Sequence, residues 1–514
     1  MMKREPVLIV NRGEIAIRVA RTCRALGFRT VGIYSDADRF AEHLRFCDEA
    51  YWVGGSAPQE SYLHVERILA VAKKSGARYV HPGYGFLSER AHFADACSKA
   101  GLVFVGPTAE SMRLMGDKIQ ARATVDLLGV PRVPGSKGAV ANGEEAAKIA
   151  REIGYPVLLK AAAGGGGKGM RRVDKESDII SAFEGASRES LRAFGDGSMY
   201  VEKFILEPHH VEIQVFGDGR GGGIHLGERE CSIQRRHQKV WEESPAPILN
   251  HFPKTREAMF EAALKIVKHV QYASAGTLEF IVDGKGNFYF LEMNTRLQVE
   301  HPVTEWVTGQ DLVAWQLRLA CGEMKDLPAT PARHGSSLEV RLYAEDPRTF
   351  LPAPGPLGLI TLPTGAFVRS DSAFSEAGEV SVHYDPMISK ISVWGSSRAE
   401  AVDRLRVALD EARVEPPKKA DGTYVGSLRT NLSFLRRLVR HPRVIAGDTT
   451  TDLIAGAADL TAADSTSPSI EAMIATAVFQ LAQEYESVGT PGGAVEIESP
   501  STWSRVARRE GVSK

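Results

Sequence analysis

From Val7 to Val105 the chain repeats one pattern: a short apolar run, a turn, then a stretch with apolar residues at helical spacing. Val7-Leu8-Ile9-Val10 reads as a buried strand. The helix expected from Glu14 to Leu26 carries Ile15, Val19, Cys23 and Leu26 on one stripe before Gly27 ends it. A strand is expected from Thr30 to Tyr34, a helix from Tyr62 to Lys74 and a strand from Arg78 to Val80, and a further helix leads to a strand from Leu102 to Val105. Strands alternating with helices in this way pack as a doubly wound parallel sheet, an α/β fold whose ligands sit at the carboxyl ends of its strands. Two turns fall there. Asn11-Arg12-Gly13-Glu14 lacks the G-x-G-x-x-G spacing of a dinucleotide site, which removes the main support for an oxidoreductase. His81-Pro82-Gly83-Tyr84-Gly85 fits a ligand loop and a structural turn equally well.

At ~150 residues per domain, 514 residues give three or four domains. The balance of 63 Lys+Arg against 64 Asp+Glu argues against nucleic acid or an anionic membrane surface as partner. The one basic run, Gly227 to Lys239, has no interleaved aromatics and reads instead as a phosphate- and oxyanion-binding strand and loop. Five scattered cysteines without a CxxC spacing suit a reducing compartment. The apolar run after Lys3-Arg4 is too short for a signal sequence, and no segment approaches the ~20 apolar residues that span a bilayer. The expectation is a cytoplasmic protein.

The middle of the chain concentrates polar chemistry. Lys118 lies in a helical run, and a strand from Pro156 to Lys160 leads into Ala161 to Met170, AAAGGGGKGM, with another strand beginning at Arg171. Four consecutive glycines free the backbone amides to wrap an anion, and flanking strands fit a lid over nucleotide phosphates better than a Walker A loop. Tyr200 to Ile205 mixes apolar wall with Glu202 and Lys203, which suits an adenine slot. His210 to Phe216 alternates as a strand, and so does Thr277 to Ile281, with Glu279 inward. A hairpin at Asp283 to Asn287 joins it to the strand Phe288 to Leu291, an arrangement in which Glu279 and Glu292 are expected to share a metal beside Asn294. Glu292 and Asn294 lie on one face of extended backbone, and Arg296, Gln298 and Glu300 continue that parity. Oxygen ligands on one face suit Mg²⁺, and a guanidinium beside a carboxylate suits a small oxyanion that is held and deprotonated.

HPGYGFLSE, MGDK, AAAGGGGKGM, GERECSIQRRHQKV and EMNTRLQVEHPVTE stand in this order, and together they resemble the biotin carboxylases of the ATP-grasp superfamily. The resemblance covers roughly residues 4 to 450. It implies an N-terminal doubly wound parallel-sheet domain (1–115), a central ATP-grasp domain (116–332, glycine-rich lid about 133–205) and a C-terminal mixed α+β domain (333–447). A linker and helical tail follow (448–514), where Ser467-Pro468 opens an apolar stripe expected to dock a partner. Residue by residue, the resemblance implies that Lys118, Lys160, His210, Gln234 and His237 meet the nucleotide of ATP. Glu202, Lys203 and Ile205 then line the adenine slot under the lid at Gly165 and Gly166. Glu279, Glu292 and Asn294 are implied around Mg²⁺ or Mn²⁺. Lys239, Arg296, Gln298 and Val299 are implied to hold bicarbonate, with Glu300 as base; Arg341 would stabilise biotin, and Tyr84 and Gly85 would line the biotin side. From its residues alone, Arg341 on the strand Leu338 to Tyr343 is a surface or salt-bridged arginine, and its catalytic role comes from the resemblance.

The polar stretch Pro416 to Gly426 reads as an inserted surface loop. Met-Lys occurs only at Met2-Lys3 and Met324-Lys325, neither in the family's biotin-bearing context. A separate biotin carboxyl carrier protein and carboxyltransferase are therefore expected, with a homodimer implied by the resemblance. The tail from Ser467 with Pro500-Ser501-Thr502-Trp503-Ser504, together with Trp315 and FLPAPGP at Phe350 to Pro356, resembles the propionyl- or methylcrotonyl-CoA carboxylase α subunits, expected here without their carrier domain. Another ATP-grasp ligase and a non-catalytic subunit are the competing readings.

Overall fold

A computed structural model describes residues 4–161, 170–235 and 238–462, together with Val478. The lid glycines Gly165 and Gly166, His237 and the expected tail helix lie outside the described residues.

The first sheet is parallel. It consists of β1 (Arg4–Ile9), β2 (Phe28–Ser35), β3 (Glu49–Gly54), β4 (Tyr79–His81) and β5 (Val103–Phe104), in the order β3-β2-β1-β4-β5. Helices α1 (Gly13–Ala25), α2 (Val65–Ser75) and α3 (Ala91–Lys99) form its crossovers. Val7, Leu8 and Ile9 are fully buried, as a central strand covered on both faces requires. Strand order reverses between β1 and β4, so the turns at Asn11 and His81 flank one crevice. Asn11 Nδ2 ties them together by donating to the carbonyls of Pro82 and Tyr84, each at 2.7 Å.

Two expectations need correction here. β3 went unread because its edge position leaves Trp52 exposed and gives it no continuous apolar run. The helix expected from Tyr62 starts at Val65. Tyr62 is a buried anchor in the preceding turn, donating its hydroxyl to Asp38 Oδ2 at 2.6 Å.

Helices α4 (Ala109–Gly116) and α5 (Lys118–Leu127) lead to a small three-stranded sheet. There β6 (Val157–Ala161) lies between β7 (Met170–Val173) and β8 (Met199–Lys203), packed by α6 (Gly143–Ile153) and α7 (Ile179–Phe194). The chain then enters an eight-stranded antiparallel sheet. Its strands include β9 (His209–Asp218), β10 (Gly223–Glu230) and, after the short hairpin β11 (Gln234–Arg235) and β12 (Gln238–Lys239), β13 (Trp241–Ser244). Helix α8 (Pro253–His269) precedes β14 (Ala273–Val282) and β15 (Phe288–Asn294), while α9 (His301–Thr308) and α10 (Leu312–Ala320) precede β16 (Ser336–Tyr343).

Short ladders join β17 (Gly355–Leu357) to β20 (Gly378–Val380) and β18 (Leu359–Thr361) to β22 (Arg413–Glu415), while β19 (Val368–Ser372) and β21 (Met387–Gly395) complete the large sheet. Its order is β15-β14-β9-β10-β13-β16-β21-β19. One hydrogen-bonded ladder thus runs from the metal-type acids of β14 to the arginine strand β16. Helix α11 (Arg398–Glu411) packs on β16 and β21 over a core that includes Leu338, Val340, Ile391 and Leu405.

Residues 416–426 form an exposed loop with one bridge, Lys418 to Tyr424. The stretch after Asp448, expected to begin a linker, instead buries Leu453 and Leu460 in this same core. Leu338 has no exposed surface, so Leu338→Ala is expected to cost about 2–5 kcal/mol in denaturant unfolding. A loss under about 1 kcal/mol would show that the sheet closes over the gap.

Candidate active site

The large sheet and the small β11–β12 ladder converge on one buried carboxylate. β15 ends at Asn294, the chain leaves the sheet, and α9 begins with Glu300 as the residue before its first turn. Glu300 is fully buried. Lys239 Nζ, on β12, donates to Glu300 Oε1 at 2.7 Å, and Arg341 Nη2, on β16, donates to Oε2 at 3.0 Å. Each cation holds further acid: Lys239 reaches Glu212 Oε2 at 2.5 Å and Glu279 Oε1 at 2.9 Å, and Arg341 Nε reaches Glu242 Oε1 at 2.6 Å.

Burial pushes the Glu300 carboxyl up, but Lys239, Arg341 and Arg229 outweigh it and hold the group well below the usual carboxylate range. Burial likewise disfavours both cations. Glu212, Glu279 and Glu300 nevertheless drive Lys239 well above its ordinary value, and Glu242 does most of the same for Arg341. Glu279 is also held low: burial opposes its charge, and Lys239 and His210 more than restore it.

The parity expected beyond the strand fails. Asn294 is the last strand residue, so Arg296, Gln298 and Glu300 come together through a turn rather than along one pleated face. A bulge between Glu279 and Phe280 sets Glu279 directly opposite Glu292. Asn294 Nδ2 donates to Glu279 Oε1 at 2.8 Å and its Oδ1 accepts from Arg296 at 3.3 Å. Arg296 also donates to Gln298 Oε1 at 3.0 Å and to Glu89 Oε2 at 2.8 Å, while Glu89 Oε1 accepts the Thr295 amide at 3.0 Å. The Val299 carbonyl accepts from Lys390.

His210 Nε2 lies 3.1 Å from Glu279 Oε2. His210, Glu212 and Glu279 bring one nitrogen and two carboxylate oxygens within 4.8 Å of one another. With Glu292 opposite Glu279 and Asn294 alongside, the donors are mainly hard oxygens, and the set fits Mg²⁺.

Of the residues expected to meet the nucleotide, Lys160, Glu202 and Lys203 lie on the small sheet. Glu202 accepts from Lys160 Nζ at 2.5 Å and from Arg122. Burial opposes its charge, and Lys160 and Arg122 lower its pKa nonetheless. Lys203, on the opposite face of β8, turns its ammonium to the carbonyls of Gly154 and Tyr155, each at 2.9 Å. Ile205 is half-buried just past β8, Gln234 Nε2 donates to the Cys231 carbonyl at 2.7 Å, and Lys118 opens α5. Tyr84 is half-buried and Gly85 exposed on the loop after β4. A cleft of 310 Å³ elsewhere, lined by Phe104, Gln316 and Met324 among others, shares none of these groups.

Sequence reasoning missed four charged partners. Glu212 was readable, because it shares β9 parity with His210; Glu89 closes the quoted HPGYGFLSE run. Arg229 and Glu242 gave no local signal. Arg229 is fully buried and binds Glu212, Gln214, Thr277 and Thr304, from three other elements.

The comparisons agree with this geometry. Residues 3–112 match the family described as biotin carboxylase, N-terminal domain, and residues 339–456 match biotin carboxylase C-terminal domain. Between them, 117–328 match carbamoyl-phosphate synthase L chain, ATP binding domain. The chain is 48% identical over 453 residues to a biotin carboxylase of Halalkalibacterium halodurans, covering 87% of this chain and 96% of that one. The chain belongs to the biotin carboxylase family. It is also 47% identical to the propionyl-CoA carboxylase alpha chain of Ruegeria pomeroyi, covering 87% of this chain and 67% of the relative.

Among solved structures, the biotin carboxylase–β-γ-ATP complex of Campylobacter jejuni superposes with a TM-score of 0.81 at 44% identity, over 88% of this chain and 99% of that one. The biotin carboxylase domain dimer of Hydrogenobacter thermophilus 2-oxoglutarate carboxylase, solved with MgADP, ADP and bicarbonate, also gives 0.81, at 43% identity over 90% of this chain and all of that one. The central match alone fits a carbamoyl-phosphate enzyme; the flanking matches and the relatives decide for biotin carboxylase. The protein is an ATP-grasp ligase that carboxylates biotin using ATP, Mg²⁺ and bicarbonate. No helix among the described residues is long and apolar enough to cross a membrane.

Buried carboxyls also lie behind the site. Burial pushes Glu14 up to about 7, against the pull of Lys390, and pushes Glu242 up to about 7 against Arg341. A carboxyl raised from its usual 4.5 to about 7 holds its proton more tightly in the folded state, so its stability contribution is lost as pH rises through that window. Glu14→Gln is expected to flatten the thermal midpoint between pH 4.5 and 7, removing roughly 3 kcal/mol of pH-dependent stability. An unchanged slope would contradict a protonated Glu14 at neutral pH.

Proposed function

We propose that the cluster around Glu300 performs both halves of biotin carboxylation. The observation that carries this reading is a single buried carboxylate held by Lys239 on the side of the metal-type acids and by Arg341 on the other side. Lys118, Lys160, His210 and Gln234, with the lid glycines Gly165 and Gly166 and with His237, meet the ATP phosphates. Glu202, Lys203 and Ile205 border the adenine. Glu279, Glu292 and Asn294 hold Mg²⁺, whose charge, when it is bound, offsets that of the phosphates.

Bicarbonate sits against Arg296, Gln298, Val299 and Lys239, its planar oxygens matched to the guanidinium fork. Glu300 takes the proton from bicarbonate. The freed oxygen attacks the γ-phosphorus, the bond to ADP breaks, and carboxyphosphate forms and then collapses to CO₂ and phosphate. Biotin enters past Tyr84 and Gly85. As its ureido nitrogen passes its proton to the phosphate released from carboxyphosphate and bonds to CO₂, Arg341 stabilises the negative charge on the ureido oxygen. Lys239 and Arg341 both hold Glu300 in this arrangement and weaken it as a base. Their redirection to bicarbonate and biotin strengthens it when substrates are present.

ADP release is expected to require Mg²⁺, bicarbonate and free biotin together. Glu300→Gln, which keeps shape and removes the base, is expected to lower kcat roughly 10²-fold or more while nucleotide still binds. ATP hydrolysis indifferent to bicarbonate, or near-normal turnover in that variant, would overturn the reading.

The biotin is carried by a separate carrier protein and passed to a separate carboxyltransferase, in a cytoplasmic homodimer. Lys325, the lysine of the internal Met-Lys, lies in coil after α10 rather than in a hairpin turn between two strands, which supports the separate carrier. The division at 115/116, 332/333 and 447/448 follows the same reading. Avidin is expected not to label the purified chain, and covalent biotin on it would exclude the separate carrier.

A further inference from the structure

Lys390 is buried to 1% exposure on β21, away from every role assigned above. Its ammonium donates at 2.5 Å to the carbonyl of Val299. Other groups also face it: Glu14 Oε1 stands at 3.7 Å and the Tyr84 ring centroid at 5.8 Å, while Asp371, its partner in register on β19, is paired with Arg369. The buried Glu339 carboxyl, which burial pushes well above its usual range, and the buried His301 imidazole both feel its charge. On its other side, Lys390 pairs in register with Arg341 of β16.

Two cations directly opposite one another on neighbouring strands repel, so the pair needs a compensating contact. Both find one on consecutive residues of the same turn: Arg341 on the Glu300 carboxylate and Lys390 on the Val299 carbonyl. The sheet therefore presents a two-cation clamp to the residues that immediately precede α9.

The clamp has a directional consequence. The Val299 carbonyl and the Glu300 amide belong to one planar trans peptide, so fixing the first aims the second the opposite way. The preceding peptide is fixed similarly, because the Gln298 carbonyl faces His301 Nδ1 at 2.8 Å. The Glu300 amide is thus turned away from Lys390, and the Val299 amide away from His301.

We infer that Lys390 is a positioning residue for bicarbonate, fixing the Val299 carbonyl so that the turn from Gln298 to Glu300 presents its amides and the Glu300 carboxylate to the anion. This rests on the proposed placement of bicarbonate at Arg296, Gln298 and Val299. Lys390 acts through the backbone and does not touch substrate. An apolar side chain would fill the same volume without the cost of burying an ammonium, which points away from packing as its purpose.

Steady-state kinetics on the full chain with free biotin test this, with bicarbonate and ATP varied separately. Lys390→Met is expected to raise KM for bicarbonate roughly 10-fold or more, as loss of a charged hydrogen bond does, and to leave KM for ATP within about twofold. Glu14→Gln leaves the clamp in place and is expected to change neither constant by more than about twofold. Should Lys390→Met fail to fold, the double variant with Glu14→Gln removes the nearby acid as well, and compared with Glu14→Gln alone it is expected to show the same bicarbonate effect. Arg296→Met reports on the underlying reading. If it raises KM for bicarbonate and Lys390→Met does not, the inference is overturned and the bicarbonate site stands. If neither does, the placement of bicarbonate fails and the inference falls with it. A parallel rise in both KM values with a lowered melting temperature would reduce Lys390 to a structural role and overturn the inference.

Discussion

The structure depends on holding a cluster of ionisable groups together out of water: Lys239 and Arg341 between Glu212, Glu242, Glu279 and Glu300 would be costly separately, and Arg229 adds a further cation behind them. An unpaired buried charge neutralises rather than persists. Here Lys239 contacts three carboxylates and Arg341 two, so neither can be removed without leaving others uncompensated. The array is a poor source of stability for that reason and a good source of fixed geometry.

The continuous eight-stranded ladder is what allows one carboxylate to be reached from two directions. β14 and β15 bring the metal-type acids and β16 brings Arg341 across that sheet, while the separate β11–β12 ladder brings Lys239. The parallel N-terminal sheet contributes from its switch point, where Asn11 locks the loop that carries Tyr84 and the chain goes on to Glu89. Glu89 then fixes Arg296 through its guanidinium and through the Thr295 amide, so the oxyanion-type turn is braced from outside the sheet as well as from within it.

Much of this was legible in residue order. The apolar run at Val7 and the stripe after Glu14 gave the parallel sheet, because central strands and amphipathic helices announce themselves locally. β3 did not, since an edge strand with Trp52 exposed has no such signature. In the site, the turn at Asp283 joined the strands of Glu279 and Glu292 as expected and a bulge after Glu279 set the two opposite one another, whereas the parity argument failed past Asn294, where the backbone stops being extended. Arg341 looked isolated because its partners Glu242 and Glu300 lie far away in sequence, and Arg229 and Lys390 were silent for the same reason. Periodicity reports on neighbours along an element; it says nothing about charges that meet only when eight strands close up.

The central claim is that a bicarbonate oxygen, freed by Glu300, attacks the γ-phosphorus of ATP. Oxygen-18 tracing tests it most directly: bicarbonate labelled in all oxygens is supplied with ATP, Mg²⁺ and biotin, and the released phosphate is weighed by mass spectrometry. The account predicts one labelled oxygen in each phosphate formed. Phosphate free of label, with its new oxygen drawn from water, would contradict it.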